Sequence, residues 1–457
     1  MDERIKIFLN GDIDFPENSK RQIEQMFDLD DIQQVVVLPD VHTKEDRTFP
    51  KGIAVLTKNT IYPGLISEEM GCGVRAVKTD LYEDNISQDD IDAIFSDFES
   101  HLKRVKLKKG LLNKKDYKDL LGGRRDWISR EYGEHLVGSM DYYGIGDFGK
   151  KIAVKRALPL EARIKGYKQF GSLGGGNHFL EMHAVRKIMD EHAAEKVGLN
   201  LKQIIFVLHT GGILPGILTR YYTQKSENKK KEKRFKKNFR KFLFHFNDWN
   251  LARASYRLQL FFRKTIKGIP ADTPEGVKFL AGLRACMDYT FANRCFLSKV
   301  IETALNKRLN NKVNIQTVSD IPHETISREE FSDEKFWVHR YGASRVYPFD
   351  IVYLPSYMGA DSFFCMADEG IEGARFSLNH GVGRNFTKSE SKKNFSLQQV
   401  EEFLKSRQVR LYDSGNLDIL EQAPFAFKDI DLVIKSLQDC RLAKPVVSTT
   451  PLAILKG

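Results

Sequence analysis

Short apolar runs that end at glycine, proline or a polar residue recur along the chain and predict strands. The strands predicted in this way cover residues 34–38, 52–57, 73–81, 202–208, 336–339, 351–354 and 451–457. The segment 73–81 alternates between apolar and polar positions, as a half-buried strand does. Apolar positions at helical spacing over 87–106 and 281–303 predict two longer helices. Strands and helices are therefore mixed along the chain.

No repeat of fixed period and no flexible linker divides these elements, which indicates one mixed α/β unit. Two basic stretches interrupt the pattern. Residues 103–125 contain glycine breaks and predict a loop. Residues 220–241 contain a dense run of lysines and arginines. That run predicts either a solvated helix face or disordered insertion, or a phosphate-binding arm with interleaved Phe235 and Phe239.

The charge balance favours an anionic partner. The 457 residues include 72 basic and 61 acidic side chains, a formal charge of +11. This excess favours nucleic acid before membrane, with a basic surface that has no partner as the alternative. No run approaches the roughly 18 apolar residues of a membrane span. The charged N-terminus lacks the apolar core of a signal peptide, so we expect a cytoplasmic protein.

Five scattered cysteines form neither a disulfide framework nor a zinc knuckle, and at most one of them is expected to carry chemistry. Cys72 is the candidate, because Glu69 precedes it by three residues and glycines flank it. A carboxylate and a thiolate at that spacing can coordinate a metal. A buried apolar cysteine is the alternative.

Histidines recur at the ends of apolar runs, next to glycine or polar residues. The five in this setting, out of 11 in the chain, are His42, His178, His209, His323 and His380. Function tends to lie on loops held by rigid strands. Several imidazoles with a thiolate and a carboxylate suit a borderline divalent ion such as Mn²⁺ or Zn²⁺. A satisfied core or turn histidine is the alternative for each one.

Two glycine-rich segments suit phosphate chemistry. Residues 171–178 form a loop whose backbone amides can cradle phosphate oxygens, although no Walker A lysine follows. In the segment His380-Gly381-Val382-Gly383-Arg384, a histidine can attack phosphorus while the arginine holds the anion. A plain tight turn is the alternative reading.

Taken in order from Pro39 to Gly457, these segments resemble the RtcB family of RNA-splicing ligases. The resemblance implies an α+β fold: one large mixed α/β domain over residues 1–457, with mixed sheets flanked by helices, a central metal and nucleotide cleft, and a basic insertion at about 222–245. It also implies an enzyme that joins an RNA 3′-phosphate or 2′,3′-cyclic phosphate to a 5′-hydroxyl, using GTP and two Mn²⁺ ions.

The resemblance also assigns residues. His380 matches the histidine that is covalently guanylylated, and Cys72 matches a thiolate shared by both ions. Glu69 and His178 would complete the first metal site, and His209 and His323 the second. The implied nucleotide pocket comprises Asn177, His178, Phe179, Leu180, Glu181, His323, Glu324, Pro355, Ser356, Tyr357, Met358, Ser362, His380, Gly381, Val382, Gly383 and Lys456, the last as a guanine contact.

The sequence also departs from the family pattern. Glu69 replaces an aspartate, and Ile213 stands where the family has an arginine that would bind an RNA phosphate. Glu324 replaces an asparagine, and Tyr341 replaces a lysine. Two cationic RNA or phosphate contacts are thus missing, which points to a divergent branch, one that acts in RNA repair rather than housekeeping tRNA splicing.

Three functions are consistent with these residues. The first is the GTP- and Mn²⁺-dependent ligase, expected as a monomer with broken or cleaved RNA ends as substrate. The second is a metal-dependent phosphoesterase that acts on RNA ends with water as the nucleophile. The third is an RNA-binding relative that does not ligate. Covalent GMP on His380 would distinguish the first from the other two.

Overall fold

Two large β-sheets and one long buried helix organise the fold. The structure, a computed structural model, describes residues 2–44, 48–66, 69–107, 111–123, 126–137, 153–222, 239–245, 268–309, 312–413 and 418–457. The strands are β1 (Ile5–Ile7), β2 (Ile32–His42), β3 (Lys51–Thr57), β4 (Thr60–Ile61), β5 (Gly73–Tyr82), β6 (Phe179–Ile188), β7 (Gln203–Thr210), β8 (Ile269–Pro270), β9 (Ile315–Pro322), β10 (Glu324–Phe331), β11 (Glu334–Tyr341), β12 (Ala343–Arg345), β13 (Ile351–Leu354), β14 (Ser362–Ala367), β15 (Ser377–Asn379), β16 (Arg410–Asp413) and β17 (Ala443–Lys456).

Helices cover the sheets. They span Glu17–Glu24, Gln88–Leu107, Lys114–Leu121, Asp126–Tyr132, Glu134–Val137, Val154–Ala157, Leu160–Gln169, Glu191–Val197, Ile213–Tyr222, 239–245, Pro274–Leu309, Lys388–Asn394, Leu397–Ser406 and Ile430–Asp439. None of the described helices combines the length and apolarity needed to cross a membrane. The fold is therefore the mixed α/β class that the sequence predicts.

The larger sheet has strand order β13-β14-β17-β6-β7-β5-β9, with β16 pairing in parallel to β17. The smaller one has the order β1-β2-β3-β11-β10. The chain passes from one sheet to the other within one residue, because β9 ends at Pro322 and β10 begins at Glu324. His323 lies at this crossing, so the ends of both sheets meet around it.

The helix Pro274–Leu309 lies beneath the larger sheet. Its 36 residues span about 54 Å, and it buries apolar side chains such as Phe279 and Leu283 in the same cluster as Phe206 and Leu208 of β7. Its middle turns are buried on every side, including the charged Arg294. A charge in that position needs a partner, and Asp320 of β9 supplies it at 2.7 Å.

The predicted elements are confirmed, with longer bounds. Each predicted strand falls on β2, β3, β5, β7, β11, β13 or β17, with Lys202 and Gly457 the only predicted positions that lie one residue outside, and the predicted helices lie within or close to Gln88–Leu107 and Pro274–Leu309. The half-buried character predicted for 73–81 is wrong over most of β5, because layers cover both faces of the larger sheet and residues 73–77 are buried. The polar position Arg75 that produced the alternation is itself fully buried.

The loop predicted for residues 103–125 is also wrong in part. The first long helix continues to Leu107, and a second helix, Lys114–Leu121, follows. The Asn113 side chain caps that second helix by accepting from the Asp116 amide, and the helix buries Tyr117 and Leu120. These apolar positions outweigh the lysines in deciding the local structure. Of the basic stretch 220–241, residues 223–238 lie outside the described residues.

Candidate active site

Antiparallel pairing brings Cys72, His178, His209 and His323 to one edge of the larger sheet. Cys72 directly precedes β5 and His178 directly precedes β6, whereas His209 lies near the end of β7 and His323 follows β9. β5 pairs antiparallel with β7 and β9, and β6 pairs antiparallel with β7. Strand starts therefore meet strand ends, and four residues that are distant in sequence become neighbours.

The sulfur and ring nitrogen atoms of the four side chains, which are potential metal ligands, face one another. Cys72 Sγ lies 3.2 Å from His178 Nε2, and His209 Nε2 lies 3.3 Å from His323 Nε2. The ligand atoms of Cys72, His209 and His323 all lie within 4.8 Å of one another, and all three residues are buried. The His323 amide donates to the Cys72 carbonyl at 3.0 Å, which fixes the two segments together.

Burial sets the protonation of this cluster. It lowers the pKa of His178, His209 and His323, so all three imidazoles are neutral near pH 7 and offer lone pairs. Burial also raises the pKa of the Cys72 thiol, and the carboxylate of Glu69 raises it further. The thiol is therefore protonated until a cation displaces its proton.

These residues fit a divalent metal. The Nδ1 atoms of His178, His209 and His323 are buried and have no hydrogen-bond partner among the described residues, while their Nε2 atoms face the thiol or each other. Two imidazoles and a thiol that converge with their lone pairs unsatisfied are better stabilised around a cation than alone. Cys72, His209 and His323 are thus the residues that would hold a metal here; His178 lies outside this group of three, but its Nε2 faces the thiol.

His380 lies against this cluster and is oriented by Asp40. Its ring centroid is 4.6 Å from that of His323. Its Nδ1 donates to Asp40 Oδ2 at 2.6 Å and lies 3.0 Å from the Gly342 carbonyl. A proton held on Nδ1 by a buried carboxylate leaves the lone pair on Nε2. His380 is thus in the tautomer that a nucleophile or a metal ligand requires.

Two glycines permit the close packing of this region. A Cβ on Gly383, at φ +70°, would lie 2.2 Å from the Asp40 carbonyl oxygen. A Cβ on Gly174, at φ +95°, would lie 2.5 Å from His178 Nδ1. Both positions require a left-handed backbone and have no room for a side chain. Gly174 therefore lets the loop 171–178 fold closely around its own histidine, and Gly383 lets the segment after His380 pack on the backbone of β2.

Several of the predicted nucleotide-pocket residues lie together beside the cluster. Lys456 Nζ lies 3.5 Å from Asn177 Oδ1 and 4.5 Å from the Phe179 ring centroid. Glu181 is buried and held by His183, whose Nε2 lies 2.9 Å from Glu181 Oε2. Burial lowers the pKa of Lys456, and Glu181 opposes that shift. A cation and an anchored carboxylate thus occur on adjacent strands.

Other predicted pocket residues have packing contacts. The Pro355 carbonyl lies against Gly381, and the Ser362 hydroxyl accepts from the Ser356 amide at 3.0 Å. Tyr357 stacks on Phe427 with ring centroids 6.2 Å apart. Among the predicted residues, four buried apolar side chains lie in hydrophobic clusters: Phe179, Leu180, Met358 and Val382.

Three positions at which the sequence departs from the family pattern have distinct surroundings. Glu69 is exposed and does not belong to the convergent Cys72–His209–His323 group among the described residues, although its carbonyl accepts from the Cys72 amide at 2.7 Å. Its metal role stays a prediction. Glu324 is buried and forms an ion pair with Lys51 at 2.8 Å. Ile213, at the position of the missing arginine, begins the helix Ile213–Tyr222.

Sequence reasoning missed Asp40 and Lys51. Asp40 lies two residues before His42, and an acidic residue at the end of the predicted apolar strand 34–38 was the available signal. His42 itself is buried and its Nδ1 lies 2.7 Å from the Asp40 carbonyl, outside the convergent group. Nothing in the local sequence singles out Lys51, because its partner is distant along the chain.

Replacing Cys72 with alanine is expected to weaken Mn²⁺ binding by at least about 100-fold, because it removes the one thiol of the cluster. Wild-type affinity should rise up to roughly tenfold per pH unit between pH 6 and 8, because the metal must displace the thiol proton while the imidazoles are already neutral. Calorimetric titration with Mn²⁺ measures both effects.

Cys365→Ala is the matched control, since Cys365 is equally buried but lies in β14. It should leave the Mn²⁺ affinity and its pH dependence unchanged. Equal Mn²⁺ affinity in the Cys72 variant and the wild type would contradict a ligand role for Cys72.

Comparison with known proteins identifies the family. Residues 22–457 match the family described as tRNA-splicing ligase RtcB. The tRNA-splicing ligase RtcB of Aeropyrum pernix is 26% identical over 92% of this chain and 88% of that protein. That of Pyrobaculum aerophilum is 26% identical over 92% and 87%, and that of Methanopyrus kandleri 26% over 93% and 45%. Because the match extends over nearly the whole length and includes every strand that carries the site, the chain belongs to the RtcB family of RNA ligases.

Proposed function

We propose that this protein is a GTP- and Mn²⁺-dependent RNA ligase that joins 3′-phosphate or 2′,3′-cyclic phosphate ends to 5′-hydroxyl ends through GMP carried on His380. The observation that carries the proposal is the Asp40–His380 pair directly beside a buried Cys/His cluster. A nucleophile with a fixed tautomer next to a cation site is what transfer of a nucleotidyl group needs.

The roles of the residues follow from their placement. Asp40 holds the Nδ1 proton of His380, so that Nε2 can form a bond to the α-phosphorus of GTP as the bond to pyrophosphate breaks. Manganese at Cys72, His178, His209 and His323, with Glu69 as a predicted further ligand, would neutralise phosphate charge. The His380 Nε2–phosphorus bond then breaks as the RNA 3′-phosphate accepts GMP, and the 5′-hydroxyl finally displaces GMP.

Recognition of guanine would fall to Glu181, Lys456 and neighbouring residues of β6 and β17. Glu181 offers carboxylate oxygens to ring N–H groups and is held in place by His183. Lys456 lies over Phe179 and offers N–H donors to a carbonyl oxygen. The whole chain, residues 1–457, acts as one ligase domain in this proposal, and the basic stretch at about 222–245 remains a predicted RNA contact.

Incubation with GTP labelled at the α-phosphate and with Mn²⁺ tests the proposal. Acid-labile, base-stable label should appear on the protein, and an RNA with cyclic-phosphate and 5′-hydroxyl ends should then be joined. Opening of the cyclic phosphate with Mn²⁺ but without GTP, label or joining would instead support the phosphoesterase. Tight RNA binding with no turnover of nucleotide or RNA would support the non-ligating relative.

A further inference from the structure

A buried ion pair joins Lys51 to Glu324 beside the candidate active site, and Lys51 has no role among those described above. Lys51 Nζ lies 2.8 Å from Glu324 Oε1, and the exposed fractions of the two side chains are 8% and 0%. Burial opposes the charge on Lys51, but the carboxylates of Glu324 and Glu69 outweigh it and raise the pKa of Lys51. The lysine is therefore a permanent cation.

The position of Lys51 follows from strand pairing in the smaller sheet. Lys51 begins β3 and pairs with His42 at the end of β2, two residues after Asp40. Its aliphatic stem packs on Gly342, where a Cβ would lie 2.4 Å from Lys51 Cγ. The carbonyl of Gly342 faces His380 Nδ1. Lys51 thus contacts the same peptide that orients His380.

The ammonium end of Lys51 reaches the segment that carries His323, one of the candidate metal ligands. Glu324 directly follows His323, whose ring lies against His380. An ammonium carries three N–H donors, and among the described residues Lys51 forms an ion pair with Glu324 alone. A phosphate attacked by His380 would therefore lie next to the segment His323-Glu324, which carries the partner of Lys51.

The position of the missing lysine strengthens the case. Position 341, where the family pattern has a lysine, holds Tyr341 in this chain. Tyr341 of β11 pairs with Ile53 of β3, and Lys51 Nζ lies 5.8 Å from its ring centroid. Lys44 Nζ lies 5.7 Å from the same ring. Lys44 and Lys51 thus place two cations next to position 341, where the lysine of the family pattern is missing.

We propose that Lys51 is a substrate-binding residue that contacts the phosphates of the nucleotide, and that Glu324 holds its ammonium in place. The proposal rests on the proposed function for the identity of the nucleotide. Glu324 replaces the asparagine of the family pattern. Its carboxylate would repel a phosphate unless a cation were paired with it, and Lys51 is that cation.

The test is the double variant Lys51→Met/Glu324→Gln, because replacing both members of a buried pair leaves no unpaired charge and the fold should survive. Binding of GTP without metal, measured by calorimetric titration, should weaken roughly 10- to 100-fold. The GTP KM for labelling of the protein should rise by a similar factor, with kcat changed less. Lys51→Arg, which keeps the charge, should recover most of the binding.

Lys58→Met/Glu334→Gln is the matched control, since this Lys–Glu pair joins the residue after β3 to the start of β11 in the same sheet, but at the surface, with exposed fractions of 46% and 55%. It should bind GTP as the wild type does. Wild-type GTP binding and KM in a folded Lys51/Glu324 double variant would overturn the proposal and leave the ligase intact. Absence of covalent GMP label from the wild-type protein would overturn the proposed ligase function. The role of Lys51 would still be tested in that case, by comparing metal-free binding of GTP or pyrophosphate between the wild type and the double variant.

Discussion

Replacing His380 with alanine is expected to abolish covalent GMP on the protein, with labelling reduced by at least ~1000-fold. The side chain is partly exposed, and within the part of the chain that the structure describes its hydrogen bonds are with Asp40 and the Gly342 carbonyl. Its loss should therefore leave the core and the metal cluster intact. Labelled GTP, followed by acid and base treatment of the protein, measures the effect.

Asp40→Asn is expected to reduce labelling of the protein as well, but less than His380→Ala does. An amide can no longer hold the Nδ1 proton of His380 as a carboxylate does, so a share of the histidine takes the wrong tautomer. We expect labelling to fall about 100-fold with the GTP affinity nearly unchanged. His192→Ala, at an exposed histidine of the helix Glu191–Val197, is the control and should label normally. Persistent labelling of the His380 variant would exclude His380 as the nucleophile.

Replacing Asp320 with asparagine is expected to lower the free energy of unfolding by about 3–5 kcal/mol. Asp320 Oδ2 accepts from Arg75 Nε at 2.7 Å, and Asp320 Oδ1 accepts from Arg294 Nε at 2.7 Å. The two arginines are fully buried and the aspartate is 2% exposed. Removal of the carboxylate would leave two buried guanidinium charges without their counter-ion. Chemical denaturation measures the loss.

The same substitution should also loosen the metal cluster. Arg294 Nη1 donates to the Gly71 carbonyl at 2.9 Å and lies 3.4 Å from the Thr210 carbonyl, and these residues adjoin Cys72 and His209. Asp97→Asn is the control, because Asp97 pairs with Lys307 of the same long helix at the surface. Surface pairs contribute about 0–1 kcal/mol. Equal losses in the two variants would show that the buried network is dispensable.

The site histidines could be predicted from the sequence because each ends an apolar run. A polar residue at the end of a buried strand is detectable locally, as at His209 and His323. Which ends meet is a property of strand pairing, and the resemblance to a family supplied that information here. His42 satisfies the same local rule but its Nδ1 faces the Asp40 carbonyl, so the rule alone gives one false positive.

Buried charges were the part that could not be predicted. Arg75 looks like a solvent-facing position in an alternating strand and Lys51 directly precedes a predicted strand, yet both are buried because partners on distant segments neutralise them. The carboxylates that do so, Glu324 and Asp320, lie far along the chain. Local patterns record polarity, whereas burial of a charge depends on a tertiary contact.

The crossing at His323 makes the site a single cooperative unit. The His323 amide donates to the carbonyl of Cys72, which directly precedes β5 of the larger sheet. The His323 carbonyl accepts from the amide of Ala343, which follows β11 of the smaller sheet. Neither sheet can therefore open locally without pulling apart the groups on which the other depends. Hydrogen exchange at the His323 amide should follow global unfolding rather than local fraying. The centre thus persists or dissolves as a whole, and a metal must reach it through side-chain motion in the cleft.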